Sequence, residues 1–376
     1  MFIIDQLKKL RKSLSARRPL IEIFIYKDNL LNNLRVYQKA YPGLTFAPVL
    51  KANAYGHGLE QVLKALSSFP VPFVALDSHF ESLITGSKAP KMKALVIGYA
   101  RPEAIRSSNR QKVSFTIVSL DQLGEIVAKI KNPKSFHLKL DTGMHRQGIL
   151  PSQYNQAMEL LRSNSNIRLE GLCSHLGDPN NEPETHKQIE NWNSSVKHFK
   201  NHFSEIRYTH LSATSGLKFS GKIDANLVRL GIGFYGFDSN LKAELKPALE
   251  MRSLITGIKD IEANEKIGYA FSFTAQRPMK IATVPVGYFE GVDRRLSNKG
   301  YFKIGEEFCP LVGKLSMDIA TIDISENKQA VFGGEIVIIS AKAGEKNSIQ
   351  EIAEICETVP YEILVHLPVH LKRTLV

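Results

Sequence analysis

Cysteine is scarce in this chain of 376 residues: Cys173, Cys309 and Cys356 lie far apart, and no CxxC pair occurs. That spacing excludes a disulfide scaffold and a cysteine-based zinc site, and it fits reduced thiols in a cytoplasm. Long apolar runs are missing as well, and none approaches the ~20 residues that a membrane span requires. The opening stretch MFIIDQLKKLRKSLSARRP carries basic residues but no apolar h-region behind them, so no secretory signal is expected. Acidic charge is in deficit, with 37 Asp and Glu against 49 Lys and Arg and a net charge of +12. The surplus is spread along the chain, which argues against a nucleic-acid-binding stripe. The one local cluster, Lys8, Lys9, Arg11, Lys12, Arg17 and Arg18, reads as a solvated terminal helix within a basic extension over residues 1–19. These absences predict a cytoplasmic protein with neither nucleic acid nor membrane as partner, and with no metal.

What the chain does have is rhythm. Short apolar, β-rich runs recur at 45–50, 72–76, 94–98, 114–119, 136–140, 168–174, 208–212 and 226–236. The gaps between them carry helical periodicity, as in LEQVLKALSSF (59–69), LDQLGEIVAKI (120–130) and YNQAMELLRSN (154–164). Strand alternating with helix through eight units predicts an α/β fold, a closed (β/α)8 barrel, over an open doubly wound sheet. After Phe237 the texture changes. A polar connection (238–250) leads into strand-like runs with turn signals, and helical pattern returns only at 347–359. The expected domains are therefore a barrel over 20–240 and a second, mainly β domain over 241–376. The run LIEIFI (20–25) suits either.

Barrel strands deliver their functional groups at their C-terminal ends. The first predicted strand ends in Lys51, followed by Tyr55, His57 and two glycines. The fifth carries Lys139 and runs into DTGMHRQG with Arg146, the sixth ends in Ser174 and His175, the seventh precedes Ser215, and the eighth holds Arg229, Gly231 and Gly233. Each alone has an ordinary structural explanation: a lysine reaching solvent, a satisfied histidine, a glycine that bends a strand. Together they have a chemical one. Ser215 with Gly216, and Gly231 with Ile232, can offer backbone N–H groups to a phosphate. A partly desolvated lysine can form an imine. A phosphate cradle plus an imine-forming lysine points to pyridoxal 5′-phosphate (PLP). Arg229 is unusual there, because an arginine facing the pyridine nitrogen keeps it unprotonated and suppresses side reactions.

The motifs VLKANAYGHG, LKLDTGMHRQG, CSHLG, LVRLGIGFYG, IGYAFSF, VPVGYFEG, VGKLSMDIATIDIS and TVPYEIL together resemble bacterial alanine racemase, in that family's order and spacing from about residue 20 to the end. The resemblance implies a PLP-dependent isomerase that interconverts L- and D-alanine by a two-base mechanism and supplies D-alanine for peptidoglycan. It implies Lys51 as PLP anchor and one base, with Tyr269 as the other, reaching the site of the partner subunit in a homodimer. Tyr55, Ser215, Gly231, Ile232 and Tyr361 would bind the phosphate. His175 would pack on the cofactor ring beside Arg229. Arg146 and the Met317 amide would hold the substrate carboxylate, and Lys139 would be carbamylated and hold Arg146.

The chain departs from the family pattern at Asn180, Glu290, Lys314, Ser316 and His370, all toward the entrance of the site; Arg294 and Arg295 are candidates to restore its charge. A serine or broad-specificity racemase is the alternative enzyme. A decarboxylase would need an acid where Arg229 stands, and a PLP-binding protein without catalysis would lack residues 250–376.

Overall fold

The computed structural model describes residues 19–108 and 112–376. The basic cluster from Lys8 to Arg18 lies outside them. The described chain divides into two compact units, one of residues 27–247 and one of residues 19–26 with 248–376. In chain order the strands are β1 (Glu22–Ile25), β2 (Thr45–Pro48), β3 (Val74–Leu76), β4 (Ala94–Val96), β5 (Val113–Ile117), β6 (Lys134–Lys139), β7 (Ile167–Cys173), β8 (Tyr208–His210) and β9 (Leu227–Leu230).

Strands β2 to β9 are the eight predicted from the sequence. β3 to β8 form one parallel sheet in sequence order. β9 pairs in parallel with β2, setting Ala47 opposite Arg229 and Pro48 opposite Leu230. The ring closes at two looser seams. At one, the Leu50 N–H donates to the Ala75 carbonyl at 2.8 Å; at the other, the Asn226 N–H donates to Thr209 at 3.1 Å and the Arg229 N–H to Ser212 at 3.2 Å. β3, β4 and β9 are buried at every position. That follows from a parallel sheet covered on both faces, and it explains why these segments read as unbroken apolar runs.

The helices at 59–66, 120–129 and 154–162 turn their apolar residues inward, as Val62 and Leu63, Leu123 and Ile126, and Ala157 and Leu161 show. Each of the valine, leucine and isoleucine side chains among them contributes ~1.5–3 kcal/mol on burial. One helix was not anticipated. Lys27–Ala40 precedes β2 in sequence yet packs where the chain leaves the eighth barrel strand. Its buried Asn33 donates to the carbonyls of Phe234 (3.1 Å) and Lys246 (2.8 Å), and its Tyr37 hydroxyl donates to Asp238 at 2.6 Å.

The second unit contains β10 (Leu249–Leu254), β11 (Gly257–Ile261), β12 (Lys266–Ile267), β13 (Phe273–Thr274), β14 (Met279–Val284), β15 (Tyr301–Ile304), β16 (Glu307–Pro310), β17 (Ala320–Asp323), β18 (Glu335–Ile339) and β19 (Lys372–Leu375). Its largest sheet runs β16-β15-β18-β10-β1-β19, and β11-β14-β17 form a second. β1 lies antiparallel to β10 and parallel to β19. The sequence reading began the barrel at residue 20, but the Glu22–Ile25 strand pairs within the β unit. Its alternation cannot reveal its partners, because they lie more than 220 residues away. Short helices at 349–355 and 360–365 complete the unit.

Candidate active site

Lys51 stands where β2 has just ended, and the backbone behind it is unusual. Ala52, Asn53, Ala54 and Tyr55 all adopt left-handed φ, between 50° and 54°. A left-handed conformation costs a non-glycine residue ~1–2 kcal/mol, so the turn persists only because its surroundings enforce it. The Ala54 N–H donates to Leu50 (2.8 Å) and the Gly58 N–H to Asn53 (2.9 Å). The Asn53 carboxamide oxygen accepts from the Leu59 N–H at 2.9 Å, tying the turn to the next helix. Gly58, at φ 95°, makes the exit. His57 is fully buried, donates from Nδ1 to the Tyr55 carbonyl at 2.9 Å, and lies against the Tyr235 ring.

The left-handed turn sends the Tyr55 side chain back across the mouth. Its ring packs on Tyr235 at 5.0 Å, and its hydroxyl lies 3.0 Å from where a Cβ on Gly231 would be. The buried amides of Gly231 and Ile232 donate to no acceptor among the described residues, while the next amide, of Gly233, donates to Thr214 Oγ1 at 3.1 Å. Two adjacent free N–H groups beside a tyrosine hydroxyl form an anion cradle. The exposed Ser215 stands at the start of the turn that follows β8. These residues fit a phosphate.

Cations gather at the same mouth. The carboxylate of Asp141 accepts from the Gly143 and His145 amides (3.0 and 3.1 Å) and so folds the loop that carries the exposed Arg146. Lys139, at the end of β6, donates to Gln147 at 3.2 Å. Burial lowers the Lys139 pKa, and the positive charges of Arg229, Arg146 and Lys51 lower it further. The shift makes its neutral amine, the form that reacts with carbon dioxide, more accessible than that of a free lysine.

Arg229 is buried in β9. Its guanidinium donates to the carbonyls of Ser174 (2.7 Å), His210 (2.8 Å) and Leu211 (3.2 Å), and to the ring nitrogens of His175 (3.2 Å) and His210. Burial and then Arg229 push the His175 pKa down to about 3, so this ring is neutral at working pH. The barrel unit thus brings together Lys51, Tyr55, Lys139, Arg146, His175, Arg229, Gly231 and Ile232. Sequence reasoning missed His137 and His210, although a histidine at a buried strand position in FHLKL and in YTHLS was a readable signal.

In the β unit, Tyr269 opens a short turn set by Gly268 (φ 75°) and is 68% exposed. The Met317 loop is held by the turn at 288–290. The Tyr288 N–H donates to Ser316 and the Phe289 N–H to Met317 (3.2 and 3.0 Å), while the Met317 amide has no acceptor among the described residues. Gly287 permits this approach, since a Cβ there would fall 2.2 Å from the Ser316 carbonyl. Buried Glu290 closes the same turn, accepting from the Gly287 N–H at 2.8 Å. Tyr361 lies in the first turn of the helix at 360–365. Arg295, proposed above to restore entrance charge, is instead bound to Asp293 (2.6 Å), to the Cys356 carbonyl (2.7 Å) and to Glu362 (3.5 Å).

A closed parallel barrel with a lysine at its mouth, an anion cradle and a β unit in the same chain defines an enzyme of the barrel-plus-β class. Residues 25–239 match the alanine racemase N-terminal domain and residues 248–375 the alanine racemase C-terminal domain. Among relatives, Alanine racemase 2 of Caldanaerobacter subterraneus subsp. tengcongensis is 30% identical over 347 residues, covering 89% of each chain. The alanine racemase of Borreliella burgdorferi is 30% identical over 365 residues, covering 93% of this chain and 96% of the relative. The solved alanine racemase of Clostridium difficile superposes with a TM-score of 0.87 at 26% identity over 96% of both chains. The chain belongs to the alanine racemase family.

Proposed function

We propose that this enzyme interconverts L- and D-alanine with PLP as cofactor, supplying D-alanine for peptidoglycan. The observation that carries the reading is the joint placement of Lys51 on a strained turn and of two free amides beside Tyr55 at one barrel mouth. Tyr55, Ser215, Gly231 and Ile232 would hold the phosphate, with Tyr361, and Lys51 would hold the cofactor covalently. His175 would lie against the cofactor ring and Arg229 would face its nitrogen. Bound PLP supplies the electron sink that makes the substrate Cα–H acidic.

Racemisation then needs a proton taken from one face of Cα and returned on the other. Lys51 Nζ serves one face and the Tyr269 hydroxyl of a second copy the other, so the substrate need not turn over. Arg146 and the free Met317 amide hold the substrate carboxylate. A carbamate on Lys139 would place a negative charge among Lys51, Arg146 and Arg229, and so would steady Arg146. The homodimer is supported by the large apolar side chains that the β unit leaves exposed, among them Tyr269, Phe271, Phe289, Met317, Ile319 and Val369. Among the described residues no helix is long and apolar enough to cross a membrane, and no His, Cys, Asp and Glu cluster could hold a metal.

The test is purified protein loaded with PLP and given L-alanine, followed by circular dichroism at a wavelength where the substrate absorbs. Decay of the signal to zero is expected, and a constant signal refutes the reading. A panel of other L-amino acids, serine first, decides between alanine and broader specificity. Lys51→Ala is expected to abolish the absorbance band of the lysine-bound cofactor, and persistence of that band would show that another lysine is the anchor.

A further inference from the structure

Four consecutive strands place a polar chain inside the barrel, and two of its members, His137 and His210, have no part in the roles above. Arg229 in β9 donates to His210 Nδ1 in β8, and His210 Nε2 lies 2.7 Å from His137 Nδ1 in β6. Between them, β7 contributes Gly171, where a Cβ would stand 2.5 Å from His137 Nδ1. The pairing register of β6 with β7 shifts at this point, between Phe136 and His137. Both histidines are fully buried, and Phe73 and Tyr208 pack against the His137 ring.

Proton bookkeeping along this chain has one solution. A guanidinium has donors only. His210 Nδ1 must therefore present a lone pair, and the ring's proton must sit on Nε2. That N–H then donates to His137 Nδ1, which leaves the His137 proton on Nε2, where no partner occurs among the described residues. Neither ring can take a second proton without setting two donors face to face. The groups that surround the pair agree. Burial first, and then Arg229, His137 and Lys139, hold the His210 pKa well below 6.5. Burial and Arg229 hold His137 down to about 3. The nearby Cys173 thiol is pushed up by burial, so it supplies no anion. Arg229 forms no ion pair among the described residues, and every acceptor it meets is neutral.

We infer that His210 and His137 are positioning residues for Arg229. The Nδ1 lone pair of His210 anchors the guanidinium, and His137 locks His210 in the tautomer that exposes that lone pair. Arg229 is thereby held by neutral acceptors that can neither neutralise its charge nor exchange a proton with it. This is the environment required if an arginine is to keep a cofactor ring nitrogen unprotonated. The inference deepens the proposed function and rests on its reading of Arg229.

The test uses the PLP-loaded enzyme labelled with 15N-histidine, with resonances assigned through His137→Asn and His210→Asn. Imidazole spectra from pH 5 to 8 are expected to show both rings neutral and protonated on Nε2 throughout. A proton on Nδ1 of either ring, or titration of either in this range, overturns the relay. Cofactor binding provides the second arm. His210→Leu removes the acceptor and is expected to weaken PLP binding about tenfold, the loss of one charge-assisted hydrogen bond, and to shift the bound-cofactor absorbance. His210→Asn, which retains an acceptor near Nδ1, is expected to restore both. If Leu and Asn lower thermal stability alike and leave affinity and spectrum unchanged, the pair has no positioning role. Arg229→Gln separates the two readings: an unaltered cofactor spectrum there refutes the placement of Arg229 at the ring nitrogen, whatever the histidine spectra show.

Discussion

Tyr55 and Gly231 meet at the barrel mouth so closely that a Cβ on Gly231 would stand 3.0 Å from the Tyr55 hydroxyl. The contact joins the turn after the first barrel strand to the turn after the eighth. Gly231→Ala should displace the tyrosine by a few tenths of an ångström and skew the two free amides. PLP affinity should fall about tenfold, the worth of one charge-assisted hydrogen bond. Fluorescence titration of the apoenzyme with PLP checks it, and unchanged affinity would remove this cradle from the phosphate site.

A site shared between copies has a stoichiometric signature. Lys51→Ala and Tyr269→Ala homodimers should each be inactive. After subunit exchange half of the dimers are mixed, and each of these retains one intact site of two. About a quarter of wild-type activity should therefore return in a two-fold symmetric dimer. No recovery, with exchange demonstrated by mass spectrometry, excludes a shared site.

Gly148 carries φ of +130°, and a Cβ there would lie 2.5 Å from the Asp141 backbone nitrogen. Gly148→Ala must therefore open the loop that carries Arg146, at a cost above about 1 kcal/mol. The melting temperature should fall and KM for alanine should rise more than the PLP dissociation constant. Equal changes in both would place the loop's role at the cofactor instead.

Acid should destabilise the fold through its neutral histidines. His137 and His175 titrate near 3 when folded, against 6.5 when free. The folded-state values are depressed, so this stability is fully present above pH 6.5 and is lost as pH falls toward 3. Each group contributes a slope of up to ~1.4 kcal/mol per pH unit in that window. Urea midpoints between pH 4 and 8 should drop accordingly, and His175→Gln should flatten the slope by about one proton. An unchanged slope in the variant would mean that His175 is already charged in the folded protein.

Much of the barrel was legible because its signals are local. An apolar run marks a strand buried on both faces, and a 3.6-residue period marks the helix that covers it. Lys51, Arg146 and Arg229 were legible because strand ends deliver groups to the mouth. The partners of Glu22–Ile25 were not, since pairing across more than 220 residues leaves no mark in a four-residue strand. Arg295 was misread for a related reason: its charge is visible in the sequence, but the Asp293 and Glu362 carboxylates that engage it become neighbours only on folding.

The sequence by itself determined the two-part architecture, the family and the residue types available for chemistry, because periodicity and motif spacing are properties of neighbours along a chain. Only the tertiary structure decided what those residues can do. The left-handed turn that sends Tyr55 back to Gly231 depends on packing around it. The protons on His210 and His137 are assigned by an arginine on a different strand, because a guanidinium can only donate and closure of the barrel sets it against His210 Nδ1.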